Sequence, residues 1–153
     1  MATSTGVFQL HPSSSEGVLQ AFKAQLENQL IWTGARIVRN EPRPIDIPPG
    51  GLLILRDGEP GEPEVSLSPL AYSYEHEAML EVYIQAADND AAFDLIKQVI
   101  GQAIAQDRLL GGRCDWIEAE PPSIEDFAPE GAAPQKAALI PIRLFYTTSD
   151  PLI

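Results

Sequence analysis

Apolar positions along this chain switch between helical and strand spacing, and the switches predict its elements. Val18, Leu19, Phe22, Leu26 and Leu30 recur at steps of three and four and define one stripe of a helix from about Ser14 to about Gln29. Ser13 and Glu16 stand at capping-box spacing at its start, and Gly34 breaks the pattern beyond its end. Leu80, Val82 and Ile84 then alternate with Glu81, Tyr83 and Gln85, the period of two of a half-buried strand. A second helix follows. Asp88 or Asn89 caps it, Asp90 sits in its first turn, and Ala92, Leu95, Ile96, Val99, Ala103 and Ile104 form its stripe. Gly111-Gly112 supplies the expected stop. The last strand, Ala137 to Thr147, points Ala138, Ile140, Ile142, Leu144 and Tyr146 one way. Pro141 on its other side predicts an edge strand or a bulge.

The segments between are shorter. Ala35 to Val38 reads as a strand, and the prolines at 42, 44, 48 and 49 keep Glu41 to Gly50 out of any helix or central strand. Leu52 to Leu55 reads as a strand ended by an Asp57-Gly58 turn, with a loop from Gly58 to Pro63. Val65 to Tyr74 carries strand signal with Pro69 inside it. It joins the next strand as a bent ribbon or a tight hairpin. Trp116 and Ile117 begin a strand that Pro121-Pro122 ends, and Ser123 to Gln135 reads as an acidic loop. The sum is a single α+β domain over residues 1–153, with an arm at 1–12 and a tail at 149–153. Its mixed, mostly antiparallel β-sheet carries two helices on one face. The other face holds Glu81, Tyr83, Gln85, Arg143 and Phe145, and is either solvated or a subunit interface.

Charge narrows the choice of partner. The 153 residues include 22 acidic and 10 basic side chains, a net charge of -12. Gripping a nucleic-acid backbone needs cations that displace counterions, and docking on anionic lipid needs them too, so both are disfavoured. The balance fits a basic protein partner, or a surface that must not hold DNA. Cys114 is the single cysteine, which excludes an internal disulfide and fits a reducing compartment. The segment MATSTGVFQL lacks the pattern of a signal peptide, and no apolar run approaches the roughly 20 residues of a membrane span.

Candidate chemistry is thin. His76-Glu77 begins a zinc-protease pattern, but Leu80 stands where the second histidine belongs, and the segment reads as strand. His76 is expected at a loop or strand end, paired with Glu75 or Glu77. His11 is expected to be exposed in the arm. Two histidines cannot build a His-rich metal site, and no EF-hand spacing occurs. Cys114 as a nucleophile needs a base, for which His76 is the one candidate; a buried or half-buried strand cysteine is expected instead. Gly50-Gly51, Gly58-x-x-Gly61 and Gly111-Gly112 have neither Rossmann nor P-loop spacing. Glu118, Glu120, Glu125 and Asp126 are expected in a flexible acidic loop. Trp32 and Trp116 are expected to pack, with an interface as the alternative for Trp116. Tyr72, Tyr74 and Tyr83 lack the interleaved cations of a nucleic-acid stacking surface. No catalytic, cofactor-binding or metal-binding residue is assigned, and no cofactor is expected.

An N-terminal helix, a proline-rich approach, the strand HEAMLEVYIQA, the helix AAFDLIKQVIGQAIAQD, a short strand, an acidic loop and the strand KAALIPIRLFYTT follow one another. This layout, from Glu16 to Thr148, resembles the tail terminator, or minor tail protein U-like, family of long-tailed bacteriophages and prophages. The resemblance implies a non-enzymatic virion tail protein, assembled in the host cytoplasm. It implies a homo-oligomeric ring, commonly hexameric, that caps the tail tube and stops its polymerisation. The ring would contact the tail tube protein and the head–tail connector, and DNA would pass through without specific binding. Glu41 to Pro49, Gly58 to Pro63 and Ser123 to Pro134 become candidate contact loops, and Arg108, Arg113 and Arg143 candidate intersubunit ion-pair residues. Tyr83 and Phe145 join them as candidate contacts on the sheet face. Another head–tail joining or tail-completion role, an acidic protein-binding module, and a small hydrolase built on His76 are the alternatives.

Overall fold

The computed structural model describes residues 11–42 and 46–153, so most of the expected N-terminal arm and part of the proline-rich loop lie outside the described residues. Two helices cover one face of a seven-stranded sheet. The strands are β1 (Arg36–Arg39), β2 (Leu52–Glu59), β3 (Glu64–Leu67), β4 (Leu70–Ile84), β5 (Trp116–Ala119), β6 (Ser123–Phe127) and β7 (Gln135–Thr148). Their order is β1-β2-β4-β7-β5, with β3 added to β4 and β6 added to β7. β1 and β2 pair parallel, and every other pair is antiparallel, so the α+β, mostly antiparallel architecture holds.

The first helix, α1 (Ser14–Leu30), forms because its apolar residues share one side; Val18, Leu19, Phe22, Leu26 and Leu30 are all buried. Only half of the capping box is made. Ser13 Oγ accepts from the Glu16 N–H at 3.4 Å, but the Glu16 carboxylate turns away to Arg39. The second helix, α2 (Asn89–Gln106), begins where Asp88 accepts from the Ala91 N–H at 3.0 Å. It stops before Gly111-Gly112, which is a correction. The Asp107 carboxylate accepts from the N–H groups of Leu109 and Gly111, at 3.0 and 2.7 Å, and folds Leu110–Gly112 into a single 3-10 turn. Phe93 and Ile100 belong to the buried stripe, whereas Leu95 is exposed.

β4 and β7 pair from Tyr72↔Thr148 to Ile84↔Lys136 and form the spine of the sheet. Their alternation puts Leu80, Val82, Ile84, Ala138, Ile140, Ile142 and Leu144 under the helices, against Phe22, Leu26, Ile96 and Ile100. Each such side chain removed from water contributes roughly 1.5–3 kcal/mol.

Three expectations change, and one open alternative, the β3–β4 hairpin, is settled. β2 continues through Asp57-Gly58 to Glu59 with a register shift, so Gly58 sits at a bulge inside the strand and not in its closing turn. β3 and β4 form a tight hairpin with Pro69 in the connection. The acidic segment from Ser123 contains β6, whose residues are all exposed and so left no burial pattern to read. β7 is central despite Pro141. The Glu120 N–H donates to the Pro141 carbonyl at 2.9 Å, so the edge of Pro141 that lacks a donor faces the break between β5 and β6. The C-terminal tail folds back, with Thr148 Oγ1 bonded to the carbonyls of Asp150 and Ile153 at 3.0 and 2.8 Å.

Candidate interaction surface

His76 is a core residue, 3% exposed, on the helix-facing side of β4. Its Nε2 lies 2.6 Å from the Asp57 backbone carbonyl, which can only accept. That fixes the proton on Nε2 in the neutral ring and leaves Nδ1 to accept from the Tyr146 hydroxyl at 2.8 Å. Burial pushes the Tyr146 phenol up to about 12, so the hydroxyl keeps the proton it donates. The expected pairing with Glu75 or Glu77 is not made; both glutamates point to the opposite face, because neighbours on a strand do. With both ring nitrogens engaged in the core, His76 has no free nitrogen to act as a base.

Beside it, Arg39 clasps three elements together. Its guanidinium reaches Glu16 on α1 at 2.6 and 2.7 Å, and Asp57 on β2 at 2.8 and 3.0 Å. These charge-assisted bonds hold both carboxyls below their usual range. A lowered carboxyl pKa gives stability that is full above its ordinary value and lost as pH falls through the folded-state value. The wild-type melting temperature is therefore expected to drop steeply below about pH 4. Arg39→Met should lower it at pH 7 and flatten that acid limb. An acid limb of unchanged slope in the variant would show that the clasp does not set it.

Among the described residues nothing packs over the sheet face opposite the helices around β7. Met79 and Tyr83 of β4, Leu139, Pro141 and Phe145 of β7, and Trp116 of β5 share it. Leu139 is 44% and Trp116 45% exposed. Charges border this apolar row and interrupt it, since Arg143 stands between Pro141 and Phe145 on β7. Tyr83 donates to Glu81 at 2.7 Å, and Glu81 accepts from Arg56 at 2.8 Å. Burial and then the Glu81 hydrogen bond push the Tyr83 phenol up to about 12. Arg143 lies 5.7 Å over the Phe145 ring and pairs with Glu75, with Glu118 at 3.4 Å and with Glu120 at 3.8 Å. A second exposed apolar group, Val65, Leu67 and Leu70, stands on the β3–β4 hairpin.

The candidate contacts are thus split. Tyr83, Arg143 and Phe145 all lie on the open face, Tyr83 at one end of the β4–β7 ladder and Arg143 and Phe145 toward the other. Arg108 is turned inward, with Nη1 donating to the Ile117 carbonyl at 2.8 Å and its guanidinium 4.9 Å over Trp116. Arg113 is exposed, and its Nη1 rests beside Gly17 of α1. The acid cluster is not one loop: Glu118 and Glu120 serve Arg143, while Asp126 pairs with Lys136 at 2.8 Å. Cys114 is buried in the turn before β5, not in a strand. Burial pushes its thiol up to about 11, and Sγ sits 3.4 Å from the Arg108 carbonyl. Trp32 does not pack; it is 65% exposed beside the still more exposed Ile31. The sequence already carried that signal, since both residues fall off the three-and-four spacing that ends at Leu30.

Among the described residues no group of three His, Cys, Asp or Glu is placed to hold a metal ion, and no helix is long and apolar enough to cross a membrane. No family model matches the chain, and neither does any curated protein. Its functional reading rests on its own surface chemistry.

Proposed function

We propose that this protein is a structural assembly protein that works as a phage tail terminator: copies form a ring on the end of the tail tube, stop its polymerisation and present a surface for head joining. The observation that carries the reading is the sheet face left open among the described residues. Tyr83 with Leu139 and Phe145 with Trp116 form two aromatic and aliphatic groups with the Arg143 ion pairs between them, the composition of a contact surface more than of a solvated one. His76, on which a hydrolase would depend, is occupied by Tyr146 and Asp57. The exposed apolar hairpin of β3 and β4 offers a separate contact for the tube end. A net charge of -12 suits a ring whose opening passes DNA, because a negative wall repels the phosphates and does not trap them.

Deleting the gene should yield tails of abnormal, uncontrolled length, and the purified protein should cap isolated tail tubes as closed rings in negative-stain micrographs. Tails of normal length in the deletion would refute the reading.

A further inference from the structure

The two lateral edges of the sheet differ in a way that fits one to the other. At one edge, β1 pairs only with β2 among the described strands. Beside it, the turn after α1 projects Ile31 and Trp32 into solvent, and exposed Arg36 stands at the start of the strand. Arg36 makes no ion pair among the described residues. Glu27, on the same groove, is held by Lys23 at 3.0 Å, and Glu41 and Asp46 share a second hollow with Arg36 without an ion pair to it.

At the far edge, β6 pairs only with β7 among the described strands. Here Tyr83, Phe127 and Leu139 line a groove of about 450 Å³ on the open face with Glu125 on its rim, while exposed Ile124 stands on the helix side of β6. Glu125 is exposed and also makes no ion pair among the described residues. An exposed indole and a cation thus stand at one edge, and an exposed isoleucine and an anion at the other.

Register puts them at the same height. Arg36 pairs with Leu52, Leu52 with Tyr83, Tyr83 with Ala137, and Ala137 with Glu125. Arg36 and Glu125 are the two ends of one row across the sheet. Following the pairings, β6 runs parallel to β4 and β1 runs antiparallel to it, so a neighbouring copy's β1 would meet β6 antiparallel.

We infer that the β1 edge of one copy pairs with the β6 edge of the next, with Trp32 on the helix side packing against Ile124 and Arg36 on the open face meeting Glu125. The partner at the β6 edge is a second copy of this chain, chosen by the match of exposed apolar and charged groups between its own two edges. Such a contact is head-to-tail. Repeated with a rotation it closes a ring, whereas a two-fold contact stops at a dimer. The inference rests on the ring reading above and names its interface.

Single-cysteine pairing at the edges tests it. Arg36→Cys and Glu125→Cys are surface changes, and buried Cys114 is common to both proteins. Mixed and oxidised, the two variants should give covalent dimers, while neither should cross-link alone. The protein carrying both changes should give a ladder. Trp32→Ala should weaken self-association about tenfold or more by sedimentation, the usual loss for a central interface tryptophan. No cross-link in the mixture, equal cross-linking of either variant alone, or unaltered association of Trp32→Ala would overturn the assignment. Cross-links together with normal tails in the deletion would leave this interface standing and remove the tail role. The converse would do the opposite.

Discussion

Gly58→Val should lower the melting temperature by about 10 °C, a loss of about 3–5 kcal/mol in a domain of this size. Two costs combine. Gly58 has a φ of 66°, a left-handed conformation that costs a β-branched residue about 1–3 kcal/mol. The site is also closed by backbone. A Cβ there would run into the Glu77 carbonyl oxygen and stand 2.8 Å from the Glu77 carbonyl carbon and 2.9 Å from Ala78 Cα. Those atoms belong to β4 and cannot move without breaking its pairing with β2, so overpacking adds about 1–3 kcal/mol. Gly61→Ala separates the two terms. Its φ of 72° is similar, but its nearest neighbour would be 3.9 Å away, so it should lose about 1 kcal/mol. Equal losses at the two positions, read by circular dichroism melts, would show that the bulge yields.

The second large effect is at Phe22. Phe22→Ala should cost about 3–5 kcal/mol in urea unfolding, because the ring is 1% exposed between α1 and the sheet and its removal leaves a cavity. Trp32→Ala, on the turn that follows the same helix, should change monomer stability by under about 0.5 kcal/mol. The contrast matters more than either value. Both are aromatic residues in one amphipathic region, yet one holds the fold and the other is free to hold a neighbour. A Trp32 variant as unstable as the Phe22 variant would place the indole in the core and remove it from any interface.

Periodicity by itself determined the two helices, the half-buried alternation of β4 and β7, and most of their core residues, although it took exposed Leu95 as buried and passed over Phe93 and Ile100. These elements have one buried side, and burial of one side forces a repeat of 3.6 or of two into the sequence. Charge composition likewise set the acidic surface before any coordinates. What the chain could not declare is whatever depends on a partner far along it. β6 is exposed on every residue, so nothing in SIEDF distinguishes it from a loop until β7 lies beside it. Pro141 is compatible with a central strand only because Pro121-Pro122 interrupts the neighbouring edge at the same level. His76 becomes a core residue because Tyr146 and the Asp57 carbonyl arrive from other strands to satisfy both nitrogens. Arg143, an apparent free cation in sequence, is neutralised by glutamates brought to it by β4 and by β5 with its following loop, whereas Arg36 and Glu125 remain exposed at the two ends of one row. Local pattern records which side of an element is buried; only the register of the sheet decides which charges meet inside the chain and which are left for its surface.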